Sequence, residues 1–240
     1  MTAPVSSGAD RARRALKKVG MIGSYFSVGV GACDGFVVVD EFCAAGHLDA
    51  ALAAVAHRIG SNEARVAASS LQYEFAERLW SISLGCWHLD EVVPDLRSLV
   101  CQAAPNGRIR FRIAEPDGVE QAGPEPARIA TSIAAQVIPH LNTVHHRLRA
   151  TTRVADGLLW GNAATGAALA TRTLTARDGD RRVGEVAKML LASPPMAGHL
   201  HDSEILRRRT CCLYYRTAAR RTCGACPLAG SVAASRRARR

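Results

Sequence analysis

The residues whose type and spacing suit them to chemistry lie near the C-terminal end. Cys211, Cys212, Cys223 and Cys226 are four of the chain's eight cysteines and fall within sixteen residues. Four thiolates gathered at one point repel one another, so a cation must lie among them, and thiolate ligands select zinc, copper(I) or iron–sulfur centres. The half Cys223-Gly224-Ala225-Cys226 is a common metal knuckle, its turn bringing two sulfurs together. The adjacent pair Cys211-Cys212 discriminates. Structural zinc is generally held by two C-x₂₋₄-C turns, and neighbouring cysteines do not form such a turn easily. A [2Fe–2S] rhomb offers two iron corners, each needing two thiolates, and so accepts a vicinal pair beside a C-x-x-C turn. An iron–sulfur cluster is the expected cofactor, with zinc, a disulfide or a chance grouping as alternatives. A local thiol cluster, unlike evenly spread cysteines in a short secreted chain, also argues for a reducing compartment. Cys33, Cys43, Cys86 and Cys101 read as small hydrophobic core residues.

Charge is concentrated in the same place. The net charge is +10, from 31 basic and 21 acidic residues, yet no Asp or Glu follows Glu204 while ten Arg do. The rest of the chain is therefore neutral and its end cationic. Arg207, Arg208, Arg209, Arg216, Arg220 and Arg221 surround the cysteines. Positive charge there stabilises the more negative, reduced state of a cluster and steers an anionic molecule or an acidic electron carrier toward it. The plain alternative is a solvated tail, and that is the reading for the arginines from Arg236 to Arg240.

The elements that must position these groups make an α+β fold: a predominantly helical body with a few antiparallel strands and a cysteine-rich C-terminal cap. The 48% hydrophobic and 22% charged residues of the 240 are ordinary globular values and exclude disorder over most of the length. Residues 1–18 read as a mobile basic arm or a short basic helix. Two β-like runs, Tyr25–Val30 and Phe36–Phe42, flank a glycine turn, and His47–Ile59 is helical. Leu71, Phe75 and Leu79 mark a helix over residues 63–85, with Glu74 and Arg78 pairing at i,i+4 on its flank. Gly107–Ile113 alternates as a strand with one wet face, and Glu115–Pro126 is a loop. Ile129 to Leu148 forms a helical stripe that Pro139 should kink or split. Residues 157–171 are helix-prone and rich in Gly and Ala, so that a partner helix or a bound molecule can approach closely. Val183–Leu191 is a further helix, and a last short one is expected over residues 199–207.

Other features are weighed against plainer readings. The basic opening followed by VGMIGSYFSVGVGAC imitates a leader ending at Cys33, but its four Gly and two Ser favour a buried strand pair. No window reaches the length of a membrane helix, so a soluble cytoplasmic protein is expected. His140, His145 and His146 have spacings that do not put two imidazoles on one helix face. His199 and His201 are surface residues or line the approach to the cysteines. Trp160 and Asn162 either contact a bound molecule or belong to a helix start with Trp160 in the core. Trp80 and Trp87 read as core. There is no G-x-G-x-x-G opening a helix, no P-loop and no H-E-x-x-H, so electrons are expected from a separate donor.

The stretch RRRTCCLYYRTAARRTCGACPL, residues 207–228, closely resembles the C-terminal segment of the FhuF-like ferric siderophore reductases. Their signature is a vicinal cysteine pair, ten residues, then C-x-x-C-P. LQYEFAERLWSISLGC (71–86) and LLWGNAATG (158–166) are similar to the family more loosely. The resemblance implies a siderophore-handling body over residues 19–206, a [2Fe–2S] segment over 207–228 and a disordered basic tail over 229–240. It makes Cys211, Cys212, Cys223 and Cys226 the cluster ligands. It also implies one-electron reduction of ferric iron held by a siderophore, with iron(II) released in the cytoplasm. Trp160, Asn162, Arg207, Arg208 and Arg209 are the expected substrate contacts. The expected partners are the ferric siderophore, a ferredoxin or flavoprotein reductase as donor, and an anionic membrane surface at the inner face of the plasma membrane. Two other classes compete: an iron–sulfur regulator binding nucleic acid through the arginines, and a zinc-capped siderophore-binding or biosynthetic protein.

Overall fold

A computed structural model describes residues 8–44, 46–120, 125–202 and 206–229. The fold is organised around helix α4 (Ala64–Asp90), buried on nearly every side. A helix that is apolar around most of its circumference must be surrounded. Helix α6 (Asp156–Asp178) runs along it in the most extensive contact between any two elements. The small residues expected to admit a neighbour do so: a Cβ on Gly166 would lie 2.8 Å from the Glu77 Cα of α4. The other packed helices are α1 (Gly8–Gly20), α3 (His47–Ile59), α5 (Pro126–Thr151) and α7 (Arg182–Ala192), with α2 (Val39–Phe42) a single turn.

Strands β1 (Gly29–Val30), β2 (Val37–Val38), β4 (Leu99–Ala103) and β5 (Ile109–Ile113) form one sheet in the order β1-β5-β4-β2. Pairing is antiparallel except between β1 and β5, which is parallel. The sheet rests on α4, where Phe75 and Phe111 meet edge to face at 4.9 Å. Strands β3 (Val92–Pro94) and β6 (Gly118–Glu120) pair separately, as do β7 (Leu200–Asp202) and β8 (Arg207–Arg208).

Several sequence readings are corrected here. Of the two readings for the first eighteen residues, 8–18 follow the short helix and not the free arm: they belong to α1, whose Ala12, Ala15, Leu16 and Val19 are buried in the core. Residues 1–7 and the tail beyond 229 lie outside the described residues. The two runs before residue 43 are not paired with each other but form opposite edges of the sheet, and Val39 to Phe42 turns helical. Pro139 does not split α5. Proline removes the hydrogen bond to the carbonyl four residues earlier, and Pro139 and Ala135 both face solvent, where water can serve that carbonyl. Glu74 and Arg78 do not join each other. Glu74 is buried and accepts from Arg58 (2.9 Å) and the Ile109 N–H, while Arg78 donates to the carbonyls of Ile109 and Ser27. Within the expected 115–126 loop lies β6. The expected helix over 199–207 is instead the β7–β8 hairpin, with residues 203–205 outside the described set.

Two stability outcomes follow. Gly166→Ala forces a methyl against the α4 backbone; the overlap outweighs the ~1 kcal/mol gained in helix propensity, for a net loss of about 1–2 kcal/mol in urea unfolding. His145 is buried, with its ring 4.5 Å from that of Trp160 and its Nε2 2.8 Å from the Gln72 amide nitrogen, which donates to it. Burial holds this imidazole down to about 3. The unfolded chain binds its proton near the ordinary value, so stability is complete above that value and falls as pH drops from about 6.5 toward 3. His145→Gln should flatten this part of the urea midpoint's pH profile; an unchanged slope would contradict it.

Candidate metal centre

The segment after β8 is held down by a buried polar seam. Arg208 is 1% exposed; its Nη1 donates to Asn162 Oδ1 at 2.6 Å and its Nη2 to the Leu158 carbonyl at 3.2 Å. Asn162 is fully buried and donates to the Ser69 carbonyl, while the Ser69 hydroxyl donates to the Cys212 carbonyl at 2.8 Å. Thr210 donates to the Gly157 carbonyl. α4, α6 and the cysteine segment are thus joined in one network. Gly161 makes room for it, since a Cβ there would stand 2.5 Å from Thr210 Oγ1 and 3.1 Å from Arg208 Nη2. On the other flank the Ala218 N–H donates to the Ile59 carbonyl beside Gly60, and Arg216 pairs with Glu63. Gly60 holds the left-handed φ of 60° that ends α3.

The two halves of the motif meet. The Cys223 thiol donates to Cys212, and Cys211 feels the charges of Cys212 and Cys226. Leu213, at a left-handed φ of 65°, turns the chain sharply after the vicinal pair. A backbone N–H then serves each sulfur: Leu213 to Cys211 and Leu228 to Cys226, both at 3.3 Å, Tyr214 to Cys212, and Ala225 to Cys223. Cys212 is pushed down, foremost by the Cys223 hydrogen bond, with Arg208 assisting against burial. Cys223 is correspondingly raised by that shared proton.

The donor set fits a thiolate-ligated cluster. Four sulfurs carry four N–H donors, the arrangement that tunes iron–sulfur centres, and the buried Nε of Arg208 has no partner. Among the described residues no group of three or more His, Cys, Asp or Glu side chains is placed to hold a metal ion. The remaining thiols contrast with these. Burial raises Cys43, to about 12, and also Cys86 and Cys101, which makes them unreactive core groups. Cys33 is only half-buried and bonds the Gly31 carbonyl, so it is not a core residue as expected.

A cavity of about 440 Å³ opens directly onto this centre, within the ~300–1,000 Å³ range of small-molecule sites. Cys212, Cys223 and Tyr214 form one wall, and Ser69, Tyr73 and Thr165 of α4 and α6 form another. Arg58, Arg108, Arg172 and Arg208 also line it, together with Glu74 and Tyr25. Glu74 offsets Arg58; Arg108 reaches the Tyr25 hydroxyl. Beside Tyr73 and hydrogen-bonded to it, Glu77 is pushed up to about 7 by burial.

Of the five side chains expected to touch substrate, only Arg208 lines this cavity. Trp160 is packed in the core against His145, Asn162 is enclosed in the seam, and Arg207 and Arg209 are exposed elsewhere. His199 and His201 are not in its walls. Sequence reasoning missed Tyr73, Arg58, Arg108 and Arg172. The available signal was helical: Ser69 with Tyr73, and Thr165 with Leu169 and Arg172, are polar-bearing faces at i,i+3 and i,i+4 spacing. Gly161→Ala should push the seam apart and lower iron and sulfide content per chain while far-UV circular dichroism stays unchanged; full cluster loading would contradict the close approach.

Among known proteins, residues 208–228 match the family model described as the FhuF 2Fe-2S C-terminal domain. No curated protein matches the chain. The match begins at the buried Arg208 and ends one residue beyond Pro227, so that it includes all four cysteines. The C-terminal segment is thus similar to the [2Fe–2S] domain of FhuF-like proteins, and a [2Fe–2S] cluster is the cofactor it indicates.

Proposed function

We propose that the protein is a ferric siderophore reductase in which Cys211, Cys212, Cys223 and Cys226 hold the [2Fe–2S] cluster. The observation that carries this reading is the cavity wall: Cys212 and Cys223 border the space in which a small molecule fits. When bound, the cluster supplies one electron at a time, converting ferric to ferrous iron, and a separate donor restores that electron. Iron(II) carries less charge than iron(III), so hard oxygen ligands grip it far less tightly, and reduction alone releases it.

The chain's own residues bind and orient the chelate. Tyr25, Tyr73 and Tyr214 offer flat surfaces and hydroxyl donors, and Ser69, Ser70 and Thr165 add polar contacts. Arg108 and Arg172 bring positive charge without a carboxylate partner among the described residues, which favours a chelate bearing negative charge. The exposed Arg207 and Arg221 on the same segment suit an acidic donor such as a ferredoxin or a flavoprotein reductase, or an anionic membrane surface. Among the described residues no helix is long and apolar enough to cross a membrane. Release in the cytoplasm is the setting proposed for the reaction.

Cys212→Ser, purified anaerobically, should lose the visible absorption of the cluster and lower the rate of ferrous release by at least tenfold, while the helical body stays folded. Release at the wild-type rate, followed with a ferrous-specific chelator, would sink the proposed electron path.

A further inference from the structure

Arg208 carries a charge that the fold leaves without an anion. Its side chain is 1% exposed, its Nη atoms meet only the neutral oxygens of Asn162 and Leu158, and its Nε is buried with no partner. Among the described residues no carboxylate pairs with it; Glu74 is held by Arg58 and Glu77 by Tyr73. Burying an unpaired cation costs several kcal/mol, so a fold that does so has a negative group to set against it. The group at hand is the thiolate set: Arg208 lines the same cavity as Cys212 and Cys223, and its backbone N–H donates at 3.0 Å to the carbonyl of Ala225, which lies between Cys223 and Cys226.

The other arginines of the segment cannot do the same. Arg207, Arg209, Arg220 and Arg221 stand in solvent and Arg216 is offset by Glu63. An interaction in surroundings of effective dielectric about 20 is roughly four times stronger than the same one in bulk water. Asn162 fixes the geometry. Its Oδ1 receives Arg208 while its Nδ2 is tied to Ser69, so the guanidinium cannot swing toward solvent.

Resting on the assignment of these cysteines to the cluster, we propose that Arg208, clamped by Asn162, is the buried counter-charge that sets the cluster's reduction potential. A thiolate-ligated cluster is already negative and gains one more negative charge on reduction. A fixed cation beside it therefore favours the reduced form and makes the centre easier to charge by its donor. Asn162 is the positioning residue: it holds the cation in place without neutralising it.

The test is an anaerobic redox titration of the full-length holoprotein, followed by visible absorption with no chelate present. In Arg208→Met the reduced-to-oxidised ratio at the wild-type midpoint should fall at least tenfold, a shift of about 59 mV for a one-electron couple. Asn162→Asp keeps the guanidinium but places a carboxylate against it, and should lower the ratio in the same direction. Arg208→Lys retains the charge and should remain within about threefold of wild type. Wild-type midpoints in both Arg208→Met and Asn162→Asp would overturn the proposal. So would Arg208→Lys falling as far as Arg208→Met, because packing rather than charge would then be responsible. If Arg208→Met does not retain its cluster, Asn162→Asp decides the matter. The midpoint is measurable even in a protein that reduces no siderophore, so failure here is separable from failure of the proposed reaction.

Discussion

Four cysteine sulfurs can share one small volume only if their mutual repulsion is offset, and the C-terminal part of this protein is arranged around that requirement. Three kinds of positive group are brought to bear: the irons implied by the domain, a backbone N–H for each sulfur, and the buried guanidinium of Arg208. A short segment with one turn of 3₁₀ helix at Tyr214–Arg216 cannot hold such an arrangement by itself. It borrows rigidity from α4 and α6 through Ser69 and Asn162, residues that lie far from the cysteines in sequence and touch their segment directly.

The same docking makes the cavity. Helices α4 and α6 approach closely because Gly166 has no side chain, and the cysteine segment approaches α6 because Gly161 has none. The space left between the three is walled by sulfur on one side and by tyrosines and arginines on the other. That the cavity borders Cys212 and Cys223 is thus a consequence of backbone packing. Glycine substitutions remote from the sulfurs are therefore expected to disturb this centre, and the helical body and the cap form one packed unit.

How much of this was legible in the sequence depended on the range of the cause. The cysteine pattern announced the cofactor because ligand spacing is a local property. His47–Ile59 and the strand around Phe111 were readable because their periodicities are local too. Long-range pairing was not: Val37 and Val38 needed β4 for their place at a sheet edge, and the hairpin of β7 with β8 replaced an expected helix because Leu200 pairs with Arg208. Glu74 and Arg78 had the right spacing for a surface pair, yet α3 and β5 cover that face and redirect both side chains. Asn162 stood out as a candidate contact, but its actual partners are Ser69 and Arg208, a pairing that only the packing of α4 against α6 reveals. The cationic rim was hidden for the same reason, since Arg58, Arg108 and Arg172 come from three distant stretches of the chain.

The central claim is that an electron passes from the cysteine-held centre to iron in the adjoining cavity. Rapid anaerobic mixing of the pre-reduced holoprotein with a ferric chelate tests it most directly. The account predicts that cluster absorption returns at the rate at which ferrous iron appears, with one ferrous ion formed for each cluster reoxidised. Ferrous iron appearing while the cluster stays reduced, or a cluster that reoxidises without forming it, would contradict the account.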